Sequence, residues 1–111
     1  MDLELELRDD RTAVLRLTGR LTMVGAGDVR AAVDRAVTTG HPLVVVDLTE
    51  VPFMDSSGLG ALVGGLRATR AAQGDLRIAG VGEQVRTVLE LTTMDRVLRP
   101  YAQVDDALRG E

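Results

Sequence analysis

Cysteine and lysine are both missing from the 111-residue chain. The first absence excludes disulfides, zinc–thiolate sites and thiol catalysis. The second makes all 13 basic residues arginine. It removes the usual Schiff-base nucleophile, the phosphate-loop lysine, and the lysine that phospho-acceptor aspartate domains generally use. Aromatic residues are almost absent too: Phe53 and Tyr101 stand alone, so the core must be built from Leu, Val, Ile, Ala and Met. No uncharged run approaches membrane-spanning length, and Met1-Asp2-Leu3-Glu4-Leu5-Glu6 lacks the basic and apolar segments of a signal peptide. A soluble cytoplasmic protein with no membrane association is therefore expected. The formal net charge is −4 and the arginines are scattered, so no footprint for direct nucleic-acid binding appears.

What is present reads as one domain over residues 1–111, long enough to bury roughly 65% of the surface of its unfolded form. Leu3, Leu5 and Leu7 alternate with Glu4, Glu6 and Arg8, Asp9-Asp10 supply turn chemistry, and Ala13, Leu15 and Leu17 alternate again. The pattern predicts an antiparallel strand pair with one core face and one wet face. Val29, Val33, Ala36 and Val37 fall at helical spacing between about Gly25 and Thr39, closed by Gly40. Leu43–Leu48 is a nearly continuous aliphatic run, the mark of a central strand covered on both faces, parallel to its predecessor because a helix intervenes. A helix over about 57–73, a strand at Asp75–Ala79, a helix at about Glu83–Leu91, a short edge strand at Arg96–Leu98 and a final helix at Val104–Leu108 complete the expectation. The order ββαβαβα predicts an α/β domain with a mixed sheet of four to five strands and about four helices.

In such sheets, sites lie beyond the carboxyl ends of the parallel strands. Asp55-Ser56-Ser57 sits there, delivered by Val44-Val45-Val46-Asp47-Leu48 to a helix start, whose unpaired N–H groups and positive dipole end suit a phosphate. The Leu21–Gly25 segment should emerge beside it. His41 enters the opposite end of the strand, some 20 Å away at about 3.3 Å per residue, and no glycine stands two places before Ser56, so a Ser-His-Asp hydrolase is disfavoured. From the residues alone, Ser56 and Ser57 both read as helix caps, and Asp55 as a turn-orienting acid or an aid to phosphoryl transfer. Gly58-Leu59-Gly60 with Gly64 imitates a dinucleotide-binding glycine pattern, but after a long loop and without a second half-domain. On the following helix Leu59, Leu62, Val63 and Leu66 form a core stripe, leaving Gly60, Ala61, Gly64, Gly65 and Ala68 as a nearly featureless outer face. Gly64 and Gly65 imply close approach by a neighbouring element or by a partner. Arg67 and Arg70 read as solvated cations near a helix C-terminus, Asp105-Asp106 as helix-start acids, and His41 as a loop residue.

The run Asp47-Leu48-Thr49-Glu50-Val51-Pro52-Phe53-Met54-Asp55-Ser56-Ser57-Gly58-Leu59-Gly60-Ala61-Leu62 closely resembles the centre of STAS domains of the anti-sigma factor antagonist family. Leu17-Thr18-Gly19-Arg20-Leu21 and Val85-Arg86-Thr87-Val88-Leu89 extend the resemblance over nearly the whole chain. It implies a bacterial partner-switching regulator of transcription that is not an enzyme and needs no cofactor or metal. The unphosphorylated form binds an anti-sigma factor that is also a serine kinase and frees sigma factor; phosphorylation of the serine after the aspartate, here Ser56, reverses this, and a serine phosphatase resets it. The implied partner surface comprises Thr22, Met23, Asp55, Ser56, Ser57, Gly58, Gly60, Ala61 and Gly64, and a homodimer is compatible with it. The chain departs from the family at Thr22, where such antagonists commonly carry an aspartate; Thr22 could cap the first helix or offer a second hydroxyl. The alternative implied by the resemblance is an unmodified STAS scaffold in a stress-signalling or lipid-transport assembly.

Overall fold

The computed structural model describes residues 1–8 and 10–110. Leucine alternation produces β1 (Asp2–Leu7) and β2 (Thr12–Thr18), paired antiparallel with Leu3 opposite Leu17 and Leu5 opposite Leu15. The Arg8 amide donates to the Thr12 carbonyl across the turn, and Asp10 adopts the left-handed conformation (φ 67°) that short polar side chains tolerate. Its expected companion Asp9 lies outside the described residues. Three parallel additions follow: α1 (Met23–Thr38) leads to β3 (Leu43–Glu50), α2 (Ser56–Ala71) to β4 (Asp75–Ala79), and α3 (Glu83–Leu91) to β5 (Pro100–Tyr101), before α4 (Val104–Arg109). The spatial order is β1-β2-β3-β4-β5, antiparallel only at the first pair. This is the α/β mixed sheet that the hydrophobic periods imply.

Register explains the aliphatic core. Leu15, Val46 and Ile78 lie side by side on β2, β3 and β4, and so do Ala13, Val44 and Leu76. Onto these rows α1 lays Val29, Val33 and Ala36, α2 lays Leu59, Leu62 and Leu66, and α3 lays Val85 and Leu89, all buried. Each valine or leucine among them contributes about 1.5–3 kcal/mol when taken fully out of water. The opposite face is wet over only part of the first strand pair, and the central strand is covered on this side too, as its aliphatic run implies. Val14, Val45 and Ala79 are buried there, because α4 lies across Val45 and Ala79 through Ala107, with Val104, Leu108 and Tyr101 around it. The uncovered part carries charge: Arg16 reaches Glu6 at 2.9 Å and Glu4 at 3.3 Å.

Two expectations need correction. The edge strand is Pro100–Tyr101, not Arg96–Leu98. Residues Met94–Arg96 form a 3₁₀ turn after Thr93 turns the chain through a left-handed backbone (φ 55°), and Leu98 plugs into the core. Proline is tolerated at an edge because its missing N–H costs no ladder bond. The outer face of α2 is also narrower than supposed. Ala61 and Gly65 are buried: a Cβ on Gly65 would lie 2.8 Å from Leu76 Cδ1 and 3.3 Å from Val33 Cγ2, so the close approach at this glycine is made by β4 and α1. At Gly64 a Cβ would meet nothing within 4 Å.

These neighbours should therefore respond oppositely. Gly64→Ala is expected to stabilise the domain by about 0.5–1 kcal/mol through helix propensity. Gly65→Val should cost about 1–3 kcal/mol by overpacking, both read from urea denaturation midpoints. Hydrogen bonding to Arg16 holds the Glu6 carboxyl below its ordinary range and raises the Arg16 guanidinium. A depressed carboxylate stabilises the folded state above its unfolded pKa, about 4.3 for glutamate, and the contribution is lost as pH falls through the lower folded value. Glu6→Gln should flatten this acid limb and leave stability at pH 7 to 9 without a new slope, as followed by thermal melts across pH.

Candidate functional site

Two chain segments leave the sheet at the same end and are stitched together. Beyond β2, the Gly19 amide donates to the Glu50 carbonyl (3.0 Å) and the Leu21 amide to the Phe53 carbonyl (2.9 Å), while the Asp55 amide returns to the Leu21 carbonyl (3.2 Å). Leu21 and Met54 thus form a parallel bridge that extends the β2–β3 pairing past both strands. Leu21, Val51 and Met54 turn their side chains into the core. The expected proximity of the Leu21–Gly25 segment to the Asp55-Ser56-Ser57 turn is a direct backbone contact. On the far side the Gln84 side chain pairs with Met54 twice, accepting from its amide at 2.8 Å and donating to its carbonyl at 3.1 Å.

The cap of α2 is Asp55, neither Ser56 nor Ser57. Its extended backbone (φ −103°, ψ −175°) stands at the N-cap, Oδ1 accepts from the Gly58 amide at 2.9 Å, and its carbonyl accepts from the Leu59 amide at 3.0 Å. Gly58 has no room for a side chain: a Cβ would sit 2.5 Å from the Leu21 carbonyl oxygen and 2.8 Å from Leu21 Cγ. Its spacing from Asp55 therefore serves helix start and strand bridge together, not a dinucleotide. With the cap supplied, Ser56 stands exposed in the first helical turn, where N–H groups lack helical acceptors. Ser56 and Ser57 are the only serines of the chain.

Thr22 occupies the N-cap of α1 but makes no side-chain cap bond. The Gly25 amide, the usual target of a capping hydroxyl, already donates to the Thr22 carbonyl (3.1 Å), as does Ala26 (2.9 Å). The capping role proposed for Thr22 is corrected accordingly. Next to it, Met23 and Val24 are 74% and 87% exposed in the first turn of α1. Val24 was not anticipated, although two apolar residues outside the helical stripe were its signal. Exposed Gly60 lies one turn from Ser56 on α2, with Arg30 of α1 beside it, 3.9 Å from where a Cβ would be. Arg20 stacks its guanidinium 4.3 Å from the Phe53 ring centre on the same end of the domain. Of the expected partner surface, Thr22, Met23, Asp55, Ser56, Ser57, Gly60 and Gly64 retain exposure, whereas Gly58 and Ala61 are buried.

His41 precedes β3, near Thr39 (3.2 Å between Oγ1 and Nδ1), and the eight residues of β3 separate it from the Ser56 end by roughly 26 Å. Asp105 and Asp106 lie in the first turn of α4, and Arg70 stands in the last turn of α2 beside Asp75 (3.4 Å). Among the described residues, no helix is long and apolar enough to cross a membrane, and no group of three or more His, Cys, Asp or Glu side chains is gathered to hold a metal ion.

The chain is similar to known proteins over almost its whole length. The model of the STAS domain family matches residues 4–107. The anti-sigma-F factor antagonist RsfB of Mycobacterium tuberculosis is 30% identical over 101 residues, covering 88% of this chain and 80% of RsfB. The crystal structure of an anti-sigma factor antagonist from Mycobacterium paratuberculosis superposes with a TM-score of 0.84 at 28% identity, covering 98% of this chain and 92% of that one. The antagonist SpoIIAA of Bacillus, in its unphosphorylated form, superposes with a TM-score of 0.68 at 27% identity, covering 86% and 97%.

The two N-caps make a paired test by denaturant unfolding. Asp55→Ala should cost about 0.5–2 kcal/mol. Thr22→Ala should stay within about 0.5 kcal/mol, because no cap bond is lost.

Proposed function

This chain belongs to the STAS domain family, and on that premise we propose that it is an anti-sigma factor antagonist switched by phosphorylation of Ser56. The unphosphorylated domain binds an anti-sigma factor with serine kinase activity and thereby frees sigma factor; a serine phosphatase restores the binding form. The domain is the substrate and ligand in this exchange, not an enzyme, and it acts in the cytoplasm without touching nucleic acid. The observation that carries the reading is the exposed Ser56 hydroxyl on a helix start whose cap is already provided by Asp55. RsfB and the paratuberculosis protein bear the antagonist name, and SpoIIAA has been solved in both unphosphorylated and phosphorylated forms.

Physical chemistry makes the switch local. A phosphoserine carries roughly −1.5 to −2 charges, and the first-turn amides and dipole of α2 stabilise them, so the domain need not unfold. The surrounding docking surface is Met23 and Val24 on α1 with Gly60 and Gly64 on α2: two apolar side chains beside a helix face low enough for close backbone approach. An acidic partner group about 4 Å from the phosphate costs about 4 kcal/mol per unit-charge pair at an effective dielectric near 20, roughly a thousandfold in affinity. Desolvating the phosphate in the interface adds to this. Partner release then follows from charge alone.

Intact-mass spectrometry of the protein from its own cells, with and without phosphatase, is expected to show a phosphate that Ser56→Ala removes. In partner capture from the same cells, Ser56→Ala should retain the anti-sigma factor, and Ser56→Asp should weaken the complex by roughly a hundredfold or more. A stable assembly indifferent to Ser56→Asp would overturn the switch in favour of the unmodified scaffold.

A further inference from the structure

We infer that Gln84 is a positioning residue for the Ser56 turn: its amide side chain acts as a surrogate strand that holds residues 53–55 in the geometry presenting Ser56. This inference rests on the reading of Ser56 as the phosphate acceptor. Three backbone residues before Ser56 have partners on two sides. On one side Leu21 bonds Phe53 and Asp55. On the other, no strand is available among the described residues, because β4 ends at Ala79 and the chain turns away into α3. Met54 is buried there, and an unmet buried amide or carbonyl is costly. Gln84, 30 residues away in the first turn of α3, meets both groups at once: Oε1 takes the Met54 amide at 2.8 Å and Nε2 gives to the Met54 carbonyl at 3.1 Å. A primary amide is the side-chain group that both donates and accepts in the plane of a peptide, so it reproduces a β-ladder pair.

The consequence reaches Ser56 through two bonds. Met54 fixed between Gln84 and Leu21 sets the direction of the Asp55 amide toward Leu21, which in turn sets the Asp55 cap on Gly58. Freed from Gln84, the turn retains one rail only, and the cap that leaves the Ser56 hydroxyl exposed loses its fixed orientation. Gln84 does not touch the hydroxyl; it acts through Met54 and Asp55.

Amide hydrogen exchange on the full chain tests this. Gln84→Ala should accelerate exchange at Met54, Asp55 and Gly58 by at least about tenfold while Val46 and Ile78 keep their protection. Uniform acceleration over the whole domain, or unchanged exchange at Asp55 and Gly58, overturns the inference. Gln84→Glu separates hydrogen bonding from side-chain bulk. At neutral pH its carboxylate accepts from the Met54 amide but repels the Met54 carbonyl, so one of the two bonds is lost and Asp55 and Gly58 should exchange faster than in the unsubstituted protein. On acidification the neutral carboxyl again donates and accepts; Glu50 and Glu83 are the acidic groups that line the same cleft. Recovery of protection in Gln84→Glu but not in Gln84→Ala, with the unsubstituted protein measured in parallel, is the expected signature, and its absence overturns the assignment. Absence of phosphate on Ser56 in cells would instead overturn the switch and leave the exchange result standing.

Discussion

The parallel bridge between Leu21 and Met54 is the constraint on which the site depends. It is made of ordinary backbone bonds, yet it lies beyond the strands that it continues, so it fixes loops as a sheet fixes strands. Because β2 and β3 run the same way, both exits occur at one end, and α1 and α2 begin side by side. Gly58 is the local requirement for this arrangement, since any Cβ there would collide with the Leu21 carbonyl. Cap, bridge and glycine form one unit: Asp55 gives its amide to Leu21 and takes that of Gly58, and Gly58 makes space for Leu21.

A core without aromatic rings shapes the rest. Branched and straight aliphatic side chains fill small spaces, so helices can lie close to one another and to the sheet, provided the facing residues are small. Ala26, Ala32 and Ala36 on α1 and Ala61 and Gly65 on α2 supply that, and Thr69, buried in the same region, satisfies its hydroxyl on the Gly65 and Leu66 carbonyls (both 2.9 Å). The one phenylalanine is kept outside this packing and lies instead under Arg20 at the site end. Close packing leaves little freedom for backbone shifts.

Legibility in the sequence followed periodicity and distance. Asp75–Ala79 and Glu83–Leu91 coincide with their expected bounds because period-2 and period-3.6 apolar patterns are local and each is bounded by turn residues. Arg96–Leu98 misled because one core-bound leucine beside a valine imitates a strand, while the actual edge strand has two residues and begins with proline. The cap of α2 was displaced by one or two positions because Asp, Ser and Ser in a row are all good caps, and only geometry selects the first. The direction faced by Ala61 and Gly65 was hidden for a different reason: small residues carry too little hydrophobic signal to say which side is buried. Gln84 carried no local signal, since its partner lies 30 positions away.

The charged hairpin at the start of the sheet has a consequence for encounters between copies. β1 is an outer strand, and an open strand edge invites pairing with another. Here two such edges meeting would bring Glu4 and Glu6 of one copy toward those of the other, in a molecule of net charge −4. Arg16 compensates these acids only within its own sheet, from the inner side. At the opposite margin β5 offers just two residues, one of them proline. Like charge at one margin and a two-residue, proline-led strand at the other both disfavour lateral growth of the sheet, which leaves the helical faces better suited to recognition.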